Sequence, residues 1–397
     1  MNLRKKLIGF GCILITLIMP INALADGTAD PQSQLAQADI ISDNSVMSEV
    51  TARSAILIET STGTVIAEKN SEEQISASHF AKLMTLLIAE EKINNGKLNL
   101  QDKVTVSANA NSKGAPQVWL DVGETITVEE LFKSITIGNA NDGCTALAEK
   151  IGGTEEDFVV LMNEKAKSLG MNNTDFNDCT GIDENTVSTA YDLSLLSAEI
   201  LKYEDLIPYF TTWMTNIRND AVELVSTNRL IRTYKGIIGL KSCASKASGE
   251  CLITAAKRNN MTLCAVVLGS SNDDTKFSDA KALMDYAFTG YEIYEPEIDE
   301  KAVENIKVKG GEQLESEVKI NNLTNIVIPR GTYSQITCEF KREETIEAPV
   351  EKNSEVGEIV FQNGENEILK AKIVVKDEIK KNSFLFSFKR ILLNLFK

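Results

Sequence analysis

Three short segments of the sequence carry side chains that could act on a substrate. Imidazole, hydroxyl and thiol groups can serve as nucleophiles, and lysine amines can serve as bases or bind anions. Asparagine amides can hold a substrate through hydrogen bonds. The candidates, in chain order, are Ser78, His79 and Lys82, then Asn139 and Asn141, then Lys241, Ser242 and Cys243.

The first segment contains two candidate nucleophiles. Lys82 follows His79 by three residues and Ser78 by four, and both spacings place side chains on one face of a helix. His79, the only histidine in the chain, could act as a base or a nucleophile near neutral pH. No serine or cysteine is assigned to it, so we favour a solvated or hydrogen-bonding imidazole. Ser78 could serve only if the helix entrance shifted by one residue.

The cysteines predict neither a metal site nor a cofactor. Cys243 could be a thiolate beside Lys241, but we favour a plain wall residue at this position. No pair has C-x-x-C spacing and no histidine is near a cysteine, which argues against structural zinc. Disulfides are permitted outside the cytosol, although the spacing does not demand them. Those beyond the first 25 residues are Cys144, Cys179, Cys243, Cys251, Cys264 and Cys338.

The elements that must position these residues predict an α+β domain over residues 51–292. A hairpin pattern opens it, helical patterns follow, and strand patterns with one last helix close it, unlike the alternation of βαβ units. The predicted helices are Phe80–Lys92, Val128–Ile137, Thr145–Ile151, Glu155–Leu169 and Lys276–Phe288. The predicted later strands are Ile237–Cys243, Glu250–Lys257 and Thr262–Leu268.

A second, smaller domain is predicted over residues 300–376. An acidic stretch around Pro296, from Glu292 to Glu300, reads as a linker. Beyond it, short alternating runs are separated by turn residues, which is typical of a small all-β domain. We expect a β-sandwich.

The two ends of the chain predict export and membrane attachment. A cationic start, an apolar run and Ala23-Leu24-Ala25 form a signal peptide over residues 1–25. Residues 26–50 read as a flexible leader. Residues 379–397 read as an amphipathic helix with one apolar and one basic face, which suits a membrane interface. The alternative is a helix packed on the β domain. A net charge of −16 argues against nucleic acid as a partner.

The three segments resemble the S-x-x-K, S-x-N and K-T-G elements of penicillin-recognising serine enzymes. The similarity extends to Ile56–Asn70, to Phe158–Asn173 and to the β domain and basic tail. The chain is thus identified as similar to the D-alanyl-D-alanine carboxypeptidases, the low-molecular-weight penicillin-binding proteins of peptidase family S11. The resemblance implies a β-lactamase/transpeptidase-like domain, in which helices flank an antiparallel sheet, followed by the β domain.

The resemblance also implies roles for the three segments. In an active member, a serine attacks the peptide carbonyl before the terminal D-alanine and the lysine one turn on takes its proton. The serine of the second element relays protons and its asparagine holds substrate. The third element binds the substrate carboxylate. Backbone N–H groups form the oxyanion hole.

This sequence departs from the family pattern at three of those positions. His79 stands at the nucleophile, Asn139 at the relay serine and Cys243 at the glycine of the substrate-binding strand. Ser242 for threonine is a mild change. The positions of Lys82, Asn141 and Lys241 keep the family residues.

We therefore expect a catalytically inactive homologue with a binding or regulatory role at the extracytoplasmic face of a bacterial membrane. Its partner would be a peptidoglycan stem peptide or a cell-wall synthesis protein, and no cofactor is implied. The alternative is an active serine-type carboxypeptidase that trims peptidoglycan pentapeptides through Ser78 or another nucleophile.

Overall fold

The computed structural model describes residues 45–384, except for the side chain of Ser78. The predicted signal peptide (1–25), most of the leader and residues 385–397 of the tail lie outside the described residues. The α-helices are α1 Ala81–Asn94, α2 Ala108–Ser112, α3 Val128–Thr136, α4 Asn141–Gly152, α5 Glu155–Ser168, α6 Ala190–Ile200, α7 Ile207–Thr211, α8 Leu230–Thr233 and α9 Asp273–Gly290. Short 3-10 turns span Ser45–Ser48, Ser78–Phe80, Glu204–Leu206, Glu300–Val303 and Tyr333–Gln335.

The strands divide between two parts of the chain. The first part contains β1 Ser54–Glu59, β2 Val65–Lys69, β3 Ile75–Ser76, β4 Lys103–Thr105, β5 Thr125–Thr127, β6 Val187–Ser188, β7 Met214–Ile217, β8 Val222–Val225, β9 Ile237–Ser245, β10 Gly249–Arg258 and β11 Met261–Ser270. The second contains β12 Tyr291–Tyr294, β13 Ile306–Lys309, β14 Glu315–Ser316, β15 Val318–Asn321, β16 Ile326–Pro329, β17 Ile336–Arg342, β18 Thr345–Glu347, β19 Glu355–Asn363 and β20 Asn366–Val375.

A five-stranded antiparallel sheet in the order β2-β1-β11-β10-β9 forms the centre of the first part. Its central strands are apolar almost throughout because both faces are covered. One face packs against α1 and α4–α6 in the larger core, and the other packs against α9. This arrangement confirms the predicted α+β class, with helices flanking an antiparallel sheet.

Three elements position the chemical residues. The Ser78–Phe80 turn leads into α1 and carries His79, with Phe80 buried beneath it. Helix α4 starts at Asn141, four residues before the predicted start at Thr145. Strand β9 is an edge of the central sheet and lies against the turn.

Gly143 sets how closely α4 approaches α3. A Cβ atom at this position would clash with Ser134 Oγ, which donates to Leu131 O within α3. Glycine has no Cβ, so the two backbones can approach. The close approach fixes the N-terminus of α4, and Asn141 with it.

The second part is all-β, as predicted. Strands form one sheet in the order β14-β13-β18 and another in the order β15-β20-β19-β17, with a shared apolar core. The predicted linker was wrong at its beginning, because Tyr291–Tyr294 is strand β12 and pairs with β16. Its aromatic and β-branched residues gain backbone hydrogen bonds that an isolated acidic stretch lacks.

The predicted flexible leader and the predicted amphipathic tail each contain residues that pack or pair with the folded domains. Val46 and Met47, inside the predicted leader, are buried against the α9 side of the sheet. Ile379 exchanges backbone hydrogen bonds with Val350, so the predicted helix does not start at residue 379. None of the helices within residues 45–384 is long and apolar enough to cross a membrane.

Candidate active site

Lys82 is the centre of the site. Its side chain is fully buried, and Nζ donates a 2.8 Å hydrogen bond to Thr180 O. Nζ also lies 3.0 Å from His79 Nδ1. Burial disfavours the ammonium form and lowers the pKa of Lys82 to about 8. No carboxylate among the described residues forms a salt bridge with this amine, so it relies on two neutral acceptors.

His79 is held as a neutral imidazole. Burial first, then the charges of Lys82 and Lys241, lower its pKa to about 3. When Lys82 is protonated and donates to Nδ1, this nitrogen carries the lone pair and the ring proton sits on Nε2. Thr180 O lies 3.4 Å from Nδ1, but in this state both atoms are acceptors and do not bond to each other. Thr180 O receives its hydrogen bond from Lys82.

Lys241 brings a second buried amine into the same site. Strand β9 directs it inward, and Nζ donates to Ile135 O at 2.9 Å. Burial, followed by repulsion from Lys82, lowers the pKa of Lys241 to about 7. The first and third segments therefore meet. The site contains two amines whose pKa values lie close to neutral pH.

The two asparagines of the second segment flank the start of α4. Asn139 has a left-handed backbone with φ 56°, which asparagine tolerates better than most residues. Asn141 Nδ2 donates to Gly114 O at 2.7 Å, while Pro116 O accepts from the Asn141 amide. The Oδ1 atoms of Asn139 and Asn141 are buried without a hydrogen-bond partner in the described structure. Two buried acceptor oxygens at the start of α4 are therefore unpaired among the described residues.

Ser242 and Cys243 continue β9 beyond Lys241. Both are buried, and Ser242 O accepts from Thr227 Oγ1 at 3.2 Å. Cys243 lies two residues after Lys241, hence on the same face of the strand. Burial raises the pKa of Cys243 well above its usual value, which keeps the thiol protonated. The predicted obstruction of the substrate edge by Cys243 stays a prediction.

Sequence reasoning missed the groups that hold the two amines. Thr180 and Ile135 contribute backbone carbonyls, which every residue type possesses, so the sequence carries no signal for them. Sequence reasoning also missed Asp178, for which a sequence signal exists. Its carboxylate accepts from Thr180 N, Thr180 Oγ1, Gly181 N and Asp183 N, which shapes the turn that presents Thr180 O. An aspartate with a threonine-glycine pair two residues later, as in Asp178 and Thr180-Gly181, is a turn signal.

The chemistry available to the described side chains is limited. No described hydroxyl accepts a hydrogen bond from Lys82, whose amine reaches an imidazole nitrogen and a backbone carbonyl instead. The Ser78 side chain lies outside the described structure, so the Ser78 alternative stays a prediction. No group of three or more metal-ligating side chains occurs among the described residues.

The partly buried imidazole of His79 gives a direct test. Because His79 is the single histidine, its ring C–H resonances can be followed by proton NMR without assignment. We expect the titration midpoint near the pKa of about 3, instead of the ordinary 6.5. Between those values the unfolded chain binds more protons, so the free energy of unfolding should fall as pH falls through this window.

A matched pair of variants separates burial from charge. Lys82→Met removes the neighbouring charge and should raise the His79 pKa, while burial still holds it below 6.5. Lys150→Met removes an exposed lysine on α4 that does not act on His79 and should leave the midpoint unchanged. A midpoint near 6.5 in the unmodified protein would contradict this arrangement.

Comparison with known proteins places this chain in a family. Residues 40–272 match the family described as D-alanyl-D-alanine carboxypeptidase, and residues 291–381 match the one described as Penicillin-binding protein 5, C-terminal domain. The chain is 36% identical over 344 residues to D-alanyl-D-alanine carboxypeptidase DacF of Bacillus subtilis, covering 85% of this chain and 88% of that protein. It is 28% identical over 344 residues to DacC of Escherichia coli, covering 84% and 86%.

The fold agrees with these sequence matches. Penicillin-binding protein 5 from Haemophilus influenzae superposes with a TM-score of 0.76 at 22% identity, covering 84% of this chain and 98% of that one. The matches together span both parts of the molecule. The chain therefore belongs to the D-alanyl-D-alanine carboxypeptidase family of low-molecular-weight penicillin-binding proteins, a family of peptidoglycan metabolism.

Proposed function

We propose that this family member is catalytically inactive and binds cell-wall peptides without cleaving them. The observation that carries the proposal is the 3.0 Å contact between Lys82 Nζ and His79 Nδ1. In the family pattern, a serine hydroxyl occupies the position of His79 and the lysine takes its proton. Here the lysine faces a nitrogen lone pair, which has no proton to give.

The protonation states support the same conclusion. With a pKa of about 8, Lys82 is mostly an ammonium at neutral pH and donates to both of its partners. An amine must be neutral to act as a base. His79 uses Nδ1 as an acceptor for that ammonium, so this nitrogen is also engaged. Neither group is free to activate a nucleophile.

The retained features favour binding of an anionic peptide end. Lys241 and Lys82 place two amines in the site, and a carboxylate would offset their mutual repulsion. The unpartnered Oδ1 atoms of Asn139 and Asn141 could accept peptide N–H groups after small movements. A stem peptide ending in D-alanine offers both chemistries. A cell-wall synthesis protein with an acidic terminus is the second candidate partner.

Covalent chemistry is tested with a labelled penicillin. The purified protein should form no acyl adduct by intact mass and release no D-alanine from a pentapeptide, because no hydroxyl among the described side chains reaches Lys82. The variant with His79→Ser, Asn139→Ser and Cys243→Gly should gain both the adduct and measurable D-alanine release.

The Ser78 and His79 alternatives have their own controls. An adduct in the unmodified protein that Ser78→Ala abolishes would show that Ser78 is the nucleophile. An adduct lost in His79→Ala would assign the imidazole instead. Either result would overturn the inactive assignment.

Binding is tested with a synthetic peptide that ends in D-alanyl-D-alanine. Lys241→Met should weaken binding by roughly tenfold or more, since a charge-assisted hydrogen bond contributes about 1.5–3 kcal/mol. Affinity should also fall as pH rises through about 7, where Lys241 loses its proton. Isothermal titration calorimetry measures both effects.

The chain offers a matched control for this experiment. Lys246 is exposed at the end of the same strand pair, so Lys246→Met should leave the affinity unchanged. The C-terminally amidated peptide should bind the unmodified protein about as weakly as the acid peptide binds the Lys241→Met variant. Equal affinities for acid and amide peptides would contradict the carboxylate assignment.

We also propose an exported protein that is peripheral at the extracytoplasmic face of the membrane through its tail. The described chain ends at Phe384, whose side chain is 86% exposed, next to the basic amphipathic residues 385–397. Deletion of 385–397 should abolish binding to anionic vesicles, and replacing Lys389 and Arg390 by glutamine should weaken it about fivefold per charge. Undiminished binding of the deletion variant would exclude the tail as anchor.

A further inference from the structure

Two cysteines face each other across the edge of the central sheet. Cys243 on β9 is the register partner of Cys251 on β10, in antiparallel pairing. Side chains of directly opposed residues project from the same face of a sheet, with Cβ atoms about 4.5–5.5 Å apart. A disulfide requires Cα atoms within about 4.4–6.8 Å, which directly paired antiparallel strands satisfy.

The burial of the two thiols and their contact with each other favour a disulfide over a ligand site. Both thiols are buried, with 5% and 1% of Cys243 and Cys251 exposed, and they interact directly with each other. The hydrogen bond from Cys243, and then the one that Gly269 N donates to Cys251 Sγ at 3.4 Å, lower the pKa of Cys251. Cys251 is therefore suited to react first, with Cys243 as the resolving thiol.

We propose that Cys243 and Cys251 form a cross-strand disulfide by exchange with a small-molecule disulfide. The Cys251 thiolate attacks one sulfur of the reagent R–S–S–R and releases the thiolate RS⁻. The Cys243 thiol then gives up its proton as it attacks the Cys251 sulfur of this mixed disulfide, which releases the second RS⁻. The two protein thiols are oxidised, the reagent is reduced to two RSH, and the thiol protons end on the released sulfur atoms.

Access to the pair is provided by the position of β9. Edge strands and hairpin ends open locally at lower cost than the sheet centre. β9 is an edge strand, and the hairpin between β9 and β10 turns just beyond Cys243. The resulting bond would fix the edge strand to β10 two residues from Lys241. The oxidation state would thus set the rigidity of the strand that carries an amine of the site.

The other cysteines provide internal controls. Cys264 is buried on β11, and its register partners are Ala255 and Ile58, so it has no thiol opposite. Cys338 is exposed and available for intermolecular links. Cys144 and Cys179 interact with each other and form a separate pair. These cysteines are not predicted to join Cys243.

The experiment oxidises the full-length protein with oxidised glutathione in sub-denaturing urea, which allows the hairpin end to open. Blocking of free thiols, tryptic digestion and mass spectrometry then map the links. Cleavage after Lys246 separates Cys243 from Cys251, so the bond appears as two joined peptides with a mass loss of about 2 Da. We expect this link, together with a rise in Tm of a few degrees that dithiothreitol reverses.

Variants make the result decisive. Cys251→Ser should abolish both the joined peptides and the Tm rise, whereas Cys264→Ser and Cys338→Ser should retain them. Free Cys243 and Cys251 after oxidation, or Cys243 joined to any other cysteine, would overturn the proposal. The readouts report sulfur connectivity and stability, so they stand independently of whether the penicillin test finds an active or an inactive site.

Discussion

The site depends on one buried cation, the ammonium of Lys82. Transferring a charge from water into a protein interior is costly unless hydrogen bonds replace its hydration. Thr180 O and His79 Nδ1 supply those bonds at 2.8 and 3.0 Å. This requirement selects the neutral form of His79 and explains why the Asp178 turn presents Thr180 O. The imidazole thus acts as a support for the lysine that family members use as a base.

A second buried amine, that of Lys241, makes the site suited to bind an anion. Lys241 is also buried and reaches only the Ile135 carbonyl among described groups, so each amine lowers the stability of the other's charge. A carboxylate would relieve this repulsion. With histidine at the family's nucleophile position and both amines retained, the proposed role of the site is to hold a peptide end. The paired thiols on β9 and β10 lie at the edge of that site and could change how firmly Lys241 is held.

Local patterns predicted elements well where packing and periodicity agree. Helix α1 and strands β9 to β11 lie within two residues of their predicted bounds because their apolar residues match one core face or a buried sheet. The start of α4 was misjudged because Asn141, Asp142 and Gly143 are poor helix formers. Asp142 instead accepts from Val118 N and Leu120 N, and Gly143 allows the close approach to Ser134. These are tertiary contacts, which a propensity scale does not contain.

The sequence by itself determined the residue types, their spacing and the family, because His79, Asn139 and Cys243 fall in recognisable motifs. Only the tertiary structure decided what these residues do to one another. Each lysine donates to a backbone carbonyl, and such a partner has no sequence signature. The opposition of Cys243 and Cys251 depends on strand register, which is set by the packing of the whole sheet. Folding thus brings the first and third motifs together, with two buried amines, a neutral imidazole and a neighbouring thiol pair.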